Sequence, residues 1–222
     1  MGVGAVVHGR PGQSLRQSDE WRWSGTANAR RGAFFEERVA QVLHLWLASR
    51  PDEVHVFHDL VGLNNITGAG LEPISLGGSN IDHLILTGGE WLMIDAKGCG
   101  AGSLRVEAGK GVLVRSDGSR SPQPWMDDQH AYSHAGVPFR LTNGKGGAAI
   151  WVVPHETSYD HPSVPRARFL SRKGAEMCLL NDSEIAAGAL DEVLPSPAQP
   201  VDLRDVDRLH PHVSAPDILY RL

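Results

Sequence analysis

The fold is decided by residues 81–97, which read IDHLILTGGEWLMIDAK. Two apolar runs, residues 81–87 and 90–96, flank a pair of glycines, and this pattern predicts a β-hairpin with a two-residue turn. Glycine suits such a turn because it accepts the positive φ angles that the favoured hairpin turns require. The turn therefore sets the register, in which Thr87 faces Glu90 and the two strands pair outward from that point.

This register places the carboxyl groups of Asp82 and Asp95 opposite each other, with their Cβ atoms about 4.5–5.5 Å apart. Lys97 lies two residues further on and points to the same face of the hairpin. Four apolar residues lie on each face, which predicts a hairpin buried on both sides. They are Leu84, Leu86, Trp91 and Met93 beside the charges, and Ile81, Ile85, Leu92 and Ile94 on the opposite face.

Facing carboxylates repel each other, so the aspartate pair needs a counter-charge. Lys97 is one candidate, and a bound metal ion is the other. A hard divalent ion such as Mg²⁺ fits the two carboxylates best. The alternative is a pair of ordinary surface charges on a half-solvated hairpin.

A third carboxyl group is expected from the helix that residues 29–49 predict. The apolar side chains of this segment recur at helical spacing, and they are Phe35, Val39, Val42, Leu43, Trp46 and Leu47. At about 100° per residue, Glu36 falls inside the apolar stripe, whereas Glu37 falls on the side that faces solvent. Glu36 is therefore expected to point towards the sheet. The alternative is a glutamate at the edge of the core that pairs with an arginine.

The rest of the chain alternates short strands with helices, which favours the α/β class. Further strands are predicted at residues 54–60, 103–107, 111–115, 148–153, 168–170 and 177–180, and further helices at 125–135 and from an N-cap at Ser183 to about residue 193. Residues 62–79 predict a long loop. We expect a flexible N-terminal arm over residues 1–28, the folded domain over 29–194 and an extended Pro-rich tail over 195–222.

Composition and charge narrow the classes of function. The chain has 222 residues, 41% of them apolar, with no apolar stretch near the length of a membrane span, so a cytoplasmic protein is expected. A formal net charge of −5 argues against binding of nucleic acid through charge over the whole surface. Two cysteines are too few for a disulfide framework or a multi-cysteine zinc site. The histidine pairs His55/His58 and His130/His134 have no further ligand for a zinc set and are interpreted as polar surface.

Three segments together resemble the nuclease-related domain (NERD) family of the PD-(D/E)XK nuclease superfamily. They are Gly32-Ala33-Phe34-Phe35-Glu36-Glu37-Arg38-Val39, Ile81-Asp82-His83 and Ile94-Asp95-Ala96-Lys97-Gly98, and the resemblance covers residues 31–155. It implies a restriction-endonuclease-like α/β/α sandwich with a central mixed β-sheet. It matches Glu36 to the helix glutamate, Asp82 to the acidic residue of the first motif strand, and Asp95 with Lys97 to the D/E-x-K pair. The sequence departs from the family pattern at Phe35, where glycine is usual, and at Asp95, where glutamate is usual.

The resemblance also implies a Mg²⁺-dependent endonuclease that hydrolyses phosphodiester bonds of DNA. In such a site Asp82, Asp95 and the Ala96 carbonyl hold Mg²⁺, with Mn²⁺ as a substitute. Lys97 orients or deprotonates the attacking water, and Glu36 holds a second ion or a water molecule on the first. Gln129 is expected to contribute from the following helix, with Gln123 as the alternative glutamine.

Domains of this family often accompany helicase or kinase domains in bacterial nucleic-acid processing and antiviral defence. A helicase, ATPase or kinase partner chain is therefore expected from the resemblance. Two other functions stay open: a nucleic-acid-binding or assembly module with little or no catalysis, and a nuclease that acts on RNA. No membrane association is expected, and the oligomeric state is left open.

Overall fold

The computed structural model describes residues 4–17, 26–67, 73–75, 80–88, 90–141, 148–159, 167–170, 176–194 and 199–222. Over these residues the chain has a mixed α/β fold. Its strands are β1 (Val6–His8), β2 (His55–Leu60), β3 (Ile66–Thr67), β4 (Pro73–Ile74), β5 (Ile81–Leu86), β6 (Trp91–Ala96), β7 (Gly102–Glu107), β8 (Lys110–Val114), β9 (Arg120–Pro122), β10 (Ala148–Val153), β11 (Thr157–Tyr159), β12 (Ala167–Leu170), β13 (Glu176–Asn181) and β14 (Leu219–Arg221). Its α-helices are α1 (Gln13–Gln17), α2 (Thr26–Ala48), α3 (Asp128–Leu141), α4 (Asp182–Ala186) and α5 (Leu203–Leu209).

Eight of the described strands form a central mixed sheet, in the order β12-β13-β10-β6-β5-β2-β1-β14. β6, β10 and β13 run parallel to one another, and β1 runs parallel to β2, whereas the other neighbours are antiparallel. The β5–β6 hairpin therefore lies in the middle of the sheet. Every residue of β5 is buried, as expected for a central strand covered on both faces.

The hairpin has the predicted register, because His83 faces Ile94 and Leu86 faces Trp91. Its turn closes where predicted, since the backbone N–H of Thr87 donates to the carbonyl of Glu90 at 3.0 Å. The predicted pairing of the two strands is thus confirmed. The two aspartates lie at the end of the hairpin opposite the turn.

Gly88 is required in this turn for a different reason from the one predicted. It does not have a positive φ angle. Instead, a Cβ atom on Gly88 would lie 1.6 Å from the carbonyl oxygen of Gln199 and 2.7 Å from that of Pro200. The C-terminal segment passes directly over the turn, and only glycine leaves room for its backbone. Gly89 lies outside the described residues.

Two apolar clusters fill the two faces of the central sheet. Helix α2 belongs to the first, which includes Phe35, Val39, Leu43, Trp46, Val56, Ile85, Leu92 and Ile94. Leu141 of α3 belongs to the second, which includes Ile81, Leu84, Leu86, Trp91, Met93 and Trp151. The predicted division of the hairpin faces is confirmed except at Ile81, which packs with the second cluster. Helices therefore cover both faces of the sheet next to the hairpin.

Both terminal segments contribute to the sheet, so the expectation of a flexible arm and an extended tail is wrong for their described residues. β1 is buried and pairs with both β2 and β14. The buried carboxylate of Asp59 joins the two segments, because it accepts hydrogen bonds from the hydroxyl groups of Ser14 at 2.5 Å and Ser214 at 2.7 Å. The tail also carries α5. The physical reason is burial: the short apolar run that forms β1 is buried between β2 and β14.

Several predicted boundaries shift. Residues 124–126 form a separate 3₁₀ turn, so the helix predicted at 125–135 is α3, which begins at Asp128. The helix predicted from Ser183 starts at an Asn181 cap and ends as the short α4, because Gly188 turns the chain with a φ of 89°. The predicted loop contains the two-stranded β3–β4 ladder, and its residues 68–72 and 76–79 lie outside the described residues. None of the described helices is both long and apolar enough to cross a membrane.

Candidate active site

Asp82 and Asp95 face each other at the end of the β5–β6 hairpin that lies away from the turn. Their carboxyl groups are hydrogen-bonded to each other. Asp82 is 7% exposed, and its Oδ2 also accepts a hydrogen bond from the Ala96 N–H at 2.7 Å. It is unfavourable for two buried carboxyl groups in contact to be ionised at the same time, so they share one proton.

The two aspartates differ in their ionisation. Burial, followed by the neighbouring Asp95 and Glu36 carboxyl groups, raises the pKa of Asp82 well above its ordinary value. Burial also acts to raise the pKa of Asp95, but Lys97 and His134 outweigh it and leave that pKa lowered. Of the two, Asp82 is therefore the one that holds the shared proton, and it donates its hydrogen bond to Asp95.

The Lys97 ammonium provides a counter-charge for this pair. Its Nζ lies 2.6 Å from Asp95 Oδ2. Burial acts to lower the pKa of Lys97, but the Asp95 and Asp82 carboxyl groups raise it above its ordinary value. Lys97 is consequently a charged group at neutral pH.

Glu36 brings a third carboxyl group to the same cavity from helix α2, as its helical phase predicted. It is 4% exposed, and it accepts a hydrogen bond from the Gly12 N–H. Its Oε2 is buried without a hydrogen-bond partner. Burial, followed by the Asp59 and Asp95 carboxyl groups, raises the pKa of Glu36 to about 8. The Gly12 N–H and the Lys97 ammonium act to lower this pKa but do not outweigh burial and the two carboxyl groups.

The N-terminal segment forms part of the site, which the sequence did not predict. Leu15 lines the cavity, and Gly12 packs so closely on α2 that a Cβ atom there would lie 3.0 Å from Ala33 Cα. Arg16 forms an ion pair with Glu37. Glu37 is thus a half-buried surface group with a partner, whereas a solvent-facing carboxylate was expected.

His134 of α3 also belongs to the site, and its interpretation as polar surface was wrong. Its ring stacks on Trp151 with centroids 5.7 Å apart. Its Nε2 lies 3.4 Å from Asp95 Oδ2 and has no hydrogen-bond partner. Burial lowers the pKa of His134 to about 4, against the opposing effect of Asp95. The spacing of His130 and His134 indicated a shared helical face, but nothing in the sequence showed that this face meets Asp95.

Of the predicted site residues, the accessory glutamine has the least structural support. The backbone of Gln129 lies in α3, but its side chain is outside the described part of the structure. The Gln123 amide is engaged in its own loop, where Oε1 accepts from Trp125 Nε1 at 2.9 Å and Nε2 donates to the Ser121 carbonyl at 3.3 Å. Gln123 is therefore a poor candidate, and Gln129 stays a prediction.

The site is a cavity of about 400 Å³. Five of its lining residues have titratable side chains: Glu36, Asp82, Asp95, Lys97 and His134. Ala96, whose carbonyl was predicted as a ligand, lines it too. This volume falls within the range of ligand-binding cavities, roughly 300–1,000 Å³. The sequence-derived carboxylates and lysine thus converge on one concave site.

The donor set of this cavity fits a hard divalent cation. Carboxylate oxygens are the ligands that Mg²⁺ prefers, and the raised pKa values of Asp82 and Glu36 show that the protein does not itself balance three negative charges here. Among the described residues, no three His, Cys, Asp or Glu side chains are placed so that they could hold a metal ion. A cation would therefore have to displace the protons of Asp82 and Glu36, which links metal binding to pH.

Histidines form a second buried group, so the interpretation of His55 and His58 as polar surface was also wrong. The two nitrogens of His58 lie 2.8 Å from His83 Nδ1 and 2.8 Å from His44 Nε2. His8 Nε2 lies 2.8 Å from His55 Nδ1. Burial is the main cause that lowers the pKa of each of the five. We call these five residues the histidine network; they are neutral members of the core at neutral pH.

Comparison with known proteins adds no assignment to this geometry. The chain matches no family model, no curated protein and no solved structure. The function of the cavity must therefore be inferred from its own chemistry.

Proposed function

We propose that the chain is a metal-dependent nuclease that hydrolyses phosphodiester bonds of DNA. The observation that carries the proposal is the convergence of Glu36, Asp82, Asp95 and Lys97 on one cavity. Two adjacent strands and one helix supply these residues, and each is the residue that the NERD resemblance matches to a site position. Neither scattered surface charges nor a glutamate paired with an arginine accounts for a buried carboxyl oxygen without a partner.

The layers of the fold, helices on both faces of a sheet, support the proposal. Helices α2 and α3 belong to apolar clusters on opposite faces of a mixed central sheet. This arrangement is compatible with a restriction-endonuclease-like α/β/α sandwich, which is the fold that the resemblance implies. The assignment to that fold is part of the proposal.

Each site residue has a defined task in the proposed reaction. Asp82, Asp95 and the Ala96 carbonyl would hold Mg²⁺, which would offset negative charge on the scissile phosphate and on the leaving oxygen. Lys97 orients the attacking water by donating a hydrogen bond, because its raised pKa makes it a poor base at neutral pH. Glu36 accepts a hydrogen bond from that water, or holds a second ion, through its unpartnered Oε2.

The test is incubation of the purified chain with plasmid, linear and single-stranded DNA and with RNA, each with Mg²⁺, Mn²⁺ or EDTA. We expect cleavage of DNA with Mg²⁺ or Mn²⁺ and none in EDTA, and we expect Asp95→Asn to abolish it. Asp127→Asn is the matched control, because Asp127 pairs with Lys110 and does not line the cavity.

Other outcomes distinguish the remaining functions. Retention of intact DNA in the presence of Mg²⁺ would indicate a binding module without catalysis. Shortening of RNA alone would identify an RNA-directed nuclease. Full activity in EDTA, or wild-type rates in Asp95→Asn, would refute the metal mechanism.

A further inference from the structure

Strand β14 forms one edge of the central sheet, where it exposes apolar side chains. Among the described residues, only those of β1 pair with it along a strand. We propose that β14 is a self-association surface, on which the β14 of a second copy of this chain pairs antiparallel and joins the two central sheets. The inference is independent of the proposed nuclease activity, because no residue of β14 lines the cavity.

The backbone groups of β14 alternate between its two sides. The Ile218 carbonyl accepts a hydrogen bond from the Gly9 N–H at 2.8 Å, so Ile218 faces β1. Hydrogen-bonded pairs alternate along an antiparallel ladder, so Tyr220 also faces β1. The N–H and C=O groups of Leu219 and Arg221 therefore point away from β1. Outward groups of this kind form a template for a further strand.

This edge lacks several of the features that usually prevent pairing between sheets. Edge strands in soluble proteins commonly carry lysine, proline or a bulge. Residues 218–222 read ILYRL, without lysine or proline, and the register of β14 with β1 is continuous. Leu219 is 57% exposed and Tyr220 is 42% exposed. The ring of Tyr220 is positioned by its edge contact with His44, with centroids 6.2 Å apart.

The residues of this edge are complementary to themselves, which favours a second copy as the occupant. A two-fold axis at Leu219 places Asp217, in the turn that leads into β14, opposite Arg221 of the second copy. It also places Ile218 opposite Tyr220 of the second copy. Opposite charges and aromatic–β-branched pairs directly across two strands both stabilise a sheet. A two-fold axis makes each of these pairs occur twice.

The alternation of the backbone permits one other register, with the axis at Tyr220. That register places Arg221 opposite Leu219 of the second copy and gives no pair of opposite charges. Asp217 and Arg221 are both exposed, so their charges are available to a second copy. Charge complementarity therefore favours the register with the axis at Leu219.

The experiment measures the association of the full chain by sedimentation velocity over a series of concentrations. A pair of short strands forms a small interface, so a weak and reversible dimer is expected. The variants are Asp217→Arg, Arg221→Asp and the double variant that carries both changes. Arg115→Asp is the matched control, because Arg115 is exposed and follows β8 of the other sheet. Circular dichroism verifies that each variant is folded.

Each single variant places like charges opposite each other, so we expect the dissociation constant of the dimer to rise about 10-fold or more. The double variant restores opposite charges and should return the constant close to that of wild type. Arg115→Asp should behave like wild type. Amide exchange followed by NMR gives a second readout: the Leu219 N–H should exchange more slowly in the dimer, whereas the Tyr220 N–H should not change.

A wild-type chain that stays monomeric at every concentration would overturn the proposal and would point instead to a strand of a different protein. A dimer that both single variants leave unchanged would show that another surface holds it, which also overturns the proposal. A double variant that does not recover association would overturn the pairing of Asp217 with Arg221.

Discussion

At the scale of single residues, Glu36 and Glu37 are adjacent on one helix and yet occupy opposite environments. Glu36→Gln keeps the shape of the side chain but removes its ability to ionise when a cation binds, so we expect cleavage to fall about 100-fold or more. Glu37→Gln removes only the surface ion pair with Arg16, so activity should stay near wild type and stability should fall by about 1 kcal/mol at most. Initial cleavage rates measure the first effect and thermal unfolding the second. The reverse ranking of the two variants would contradict the role given to Glu36.

Asp82 permits a second test, because it is the protonated member of the aspartate pair. Asp82→Asn keeps a neutral side chain that can accept from Ala96 N–H and donate to Asp95, so we expect the metal-free protein to unfold at the same temperature or higher. The variant should lose cleavage and should no longer be stabilised by Mn²⁺. Thermal unfolding with and without Mn²⁺ measures both effects. A large loss of stability without metal would show that Asp82 is ionised in the folded protein.

Asp95→Asn should behave differently in the same measurement. It would leave Lys97 without the carboxylate that lies 2.6 Å from its ammonium, and a buried charge without its partner is unfavourable. Asp95→Asn is therefore expected to be the less stable of the two variants.

The site residues that could be predicted are those fixed by local periodicity. Strand parity around a two-residue turn places Asp82 opposite Asp95, and helix phase separates Glu36 from Glu37; both follow from a few neighbouring residues. His134 and Leu15 could not be found in this way. Each reaches the cavity because its helix packs against other elements, α1 against α2 and α3 against β6 and β10, and sequence spacing carries no information about that packing.

At the scale of elements, the turn of the β5–β6 hairpin depends on Gly88. Gly88→Ala would place a Cβ atom within 1.6 Å of the Gln199 carbonyl oxygen, so either the hairpin or the C-terminal segment must move. We expect a loss of about 1–3 kcal/mol in the free energy of unfolding, typical of overpacking. Chemical unfolding measures it.

Gly100→Ala is the control for this effect, since no other atom lies within 4 Å of a Cβ atom there. We expect it to be close to neutral or slightly stabilising. If both variants have the same stability, the contact between the hairpin turn and the C-terminal segment is not required by the fold.

The length of an element decides whether its sequence predicts it. β5, β6 and α2 extend over enough residues for their apolar periods to be recognised. β1, β3 and β14 have only two or three residues each, which is too short for any period. β1 and β14 form because the central sheet lies beside them, whereas β3 pairs only with the two-residue β4. The terminal segments were expected to be loose because no period marks β1 or β14.

At the scale of the whole molecule, the histidine network makes stability depend on pH. A histidine in the unfolded chain has a pKa of about 6.5. In the folded protein, burial lowers the pKa of His8 to about 4 and that of His83 to about 3. The unfolded chain therefore binds more protons in this range, and the stabilising contribution is present above about pH 6.5 and is lost as the pH falls. Glu36 acts in the opposite sense, because its pKa is raised to about 8 and its contribution is lost as the pH rises from about 4.5 to 8.

We expect the free energy of unfolding of the metal-free protein to be greatest near pH 6.5 and to fall on both sides. Urea unfolding measured between pH 4 and 9 tests this expectation. Glu36→Gln should flatten the alkaline side and make the acid side steeper above about pH 4.5, whereas His83→Leu should reduce the slope on the acid side. A stability that does not change between pH 4 and 6.5 would contradict the burial of the network.

The position of β1 between β2 and β14 has a consequence for how the protein folds. Closing this edge of the sheet brings together residues near both ends of the described chain, so its contact order is high and its formation is slow. During synthesis β2, β5 and β6 leave the ribosome well before β14. The hydrogen bond of 2.7 Å from the Ser214 hydroxyl to Asp59 can form only after Ser214 has been synthesised. Until then β1 has an unpaired edge, whose free backbone groups can pair with a strand of another chain.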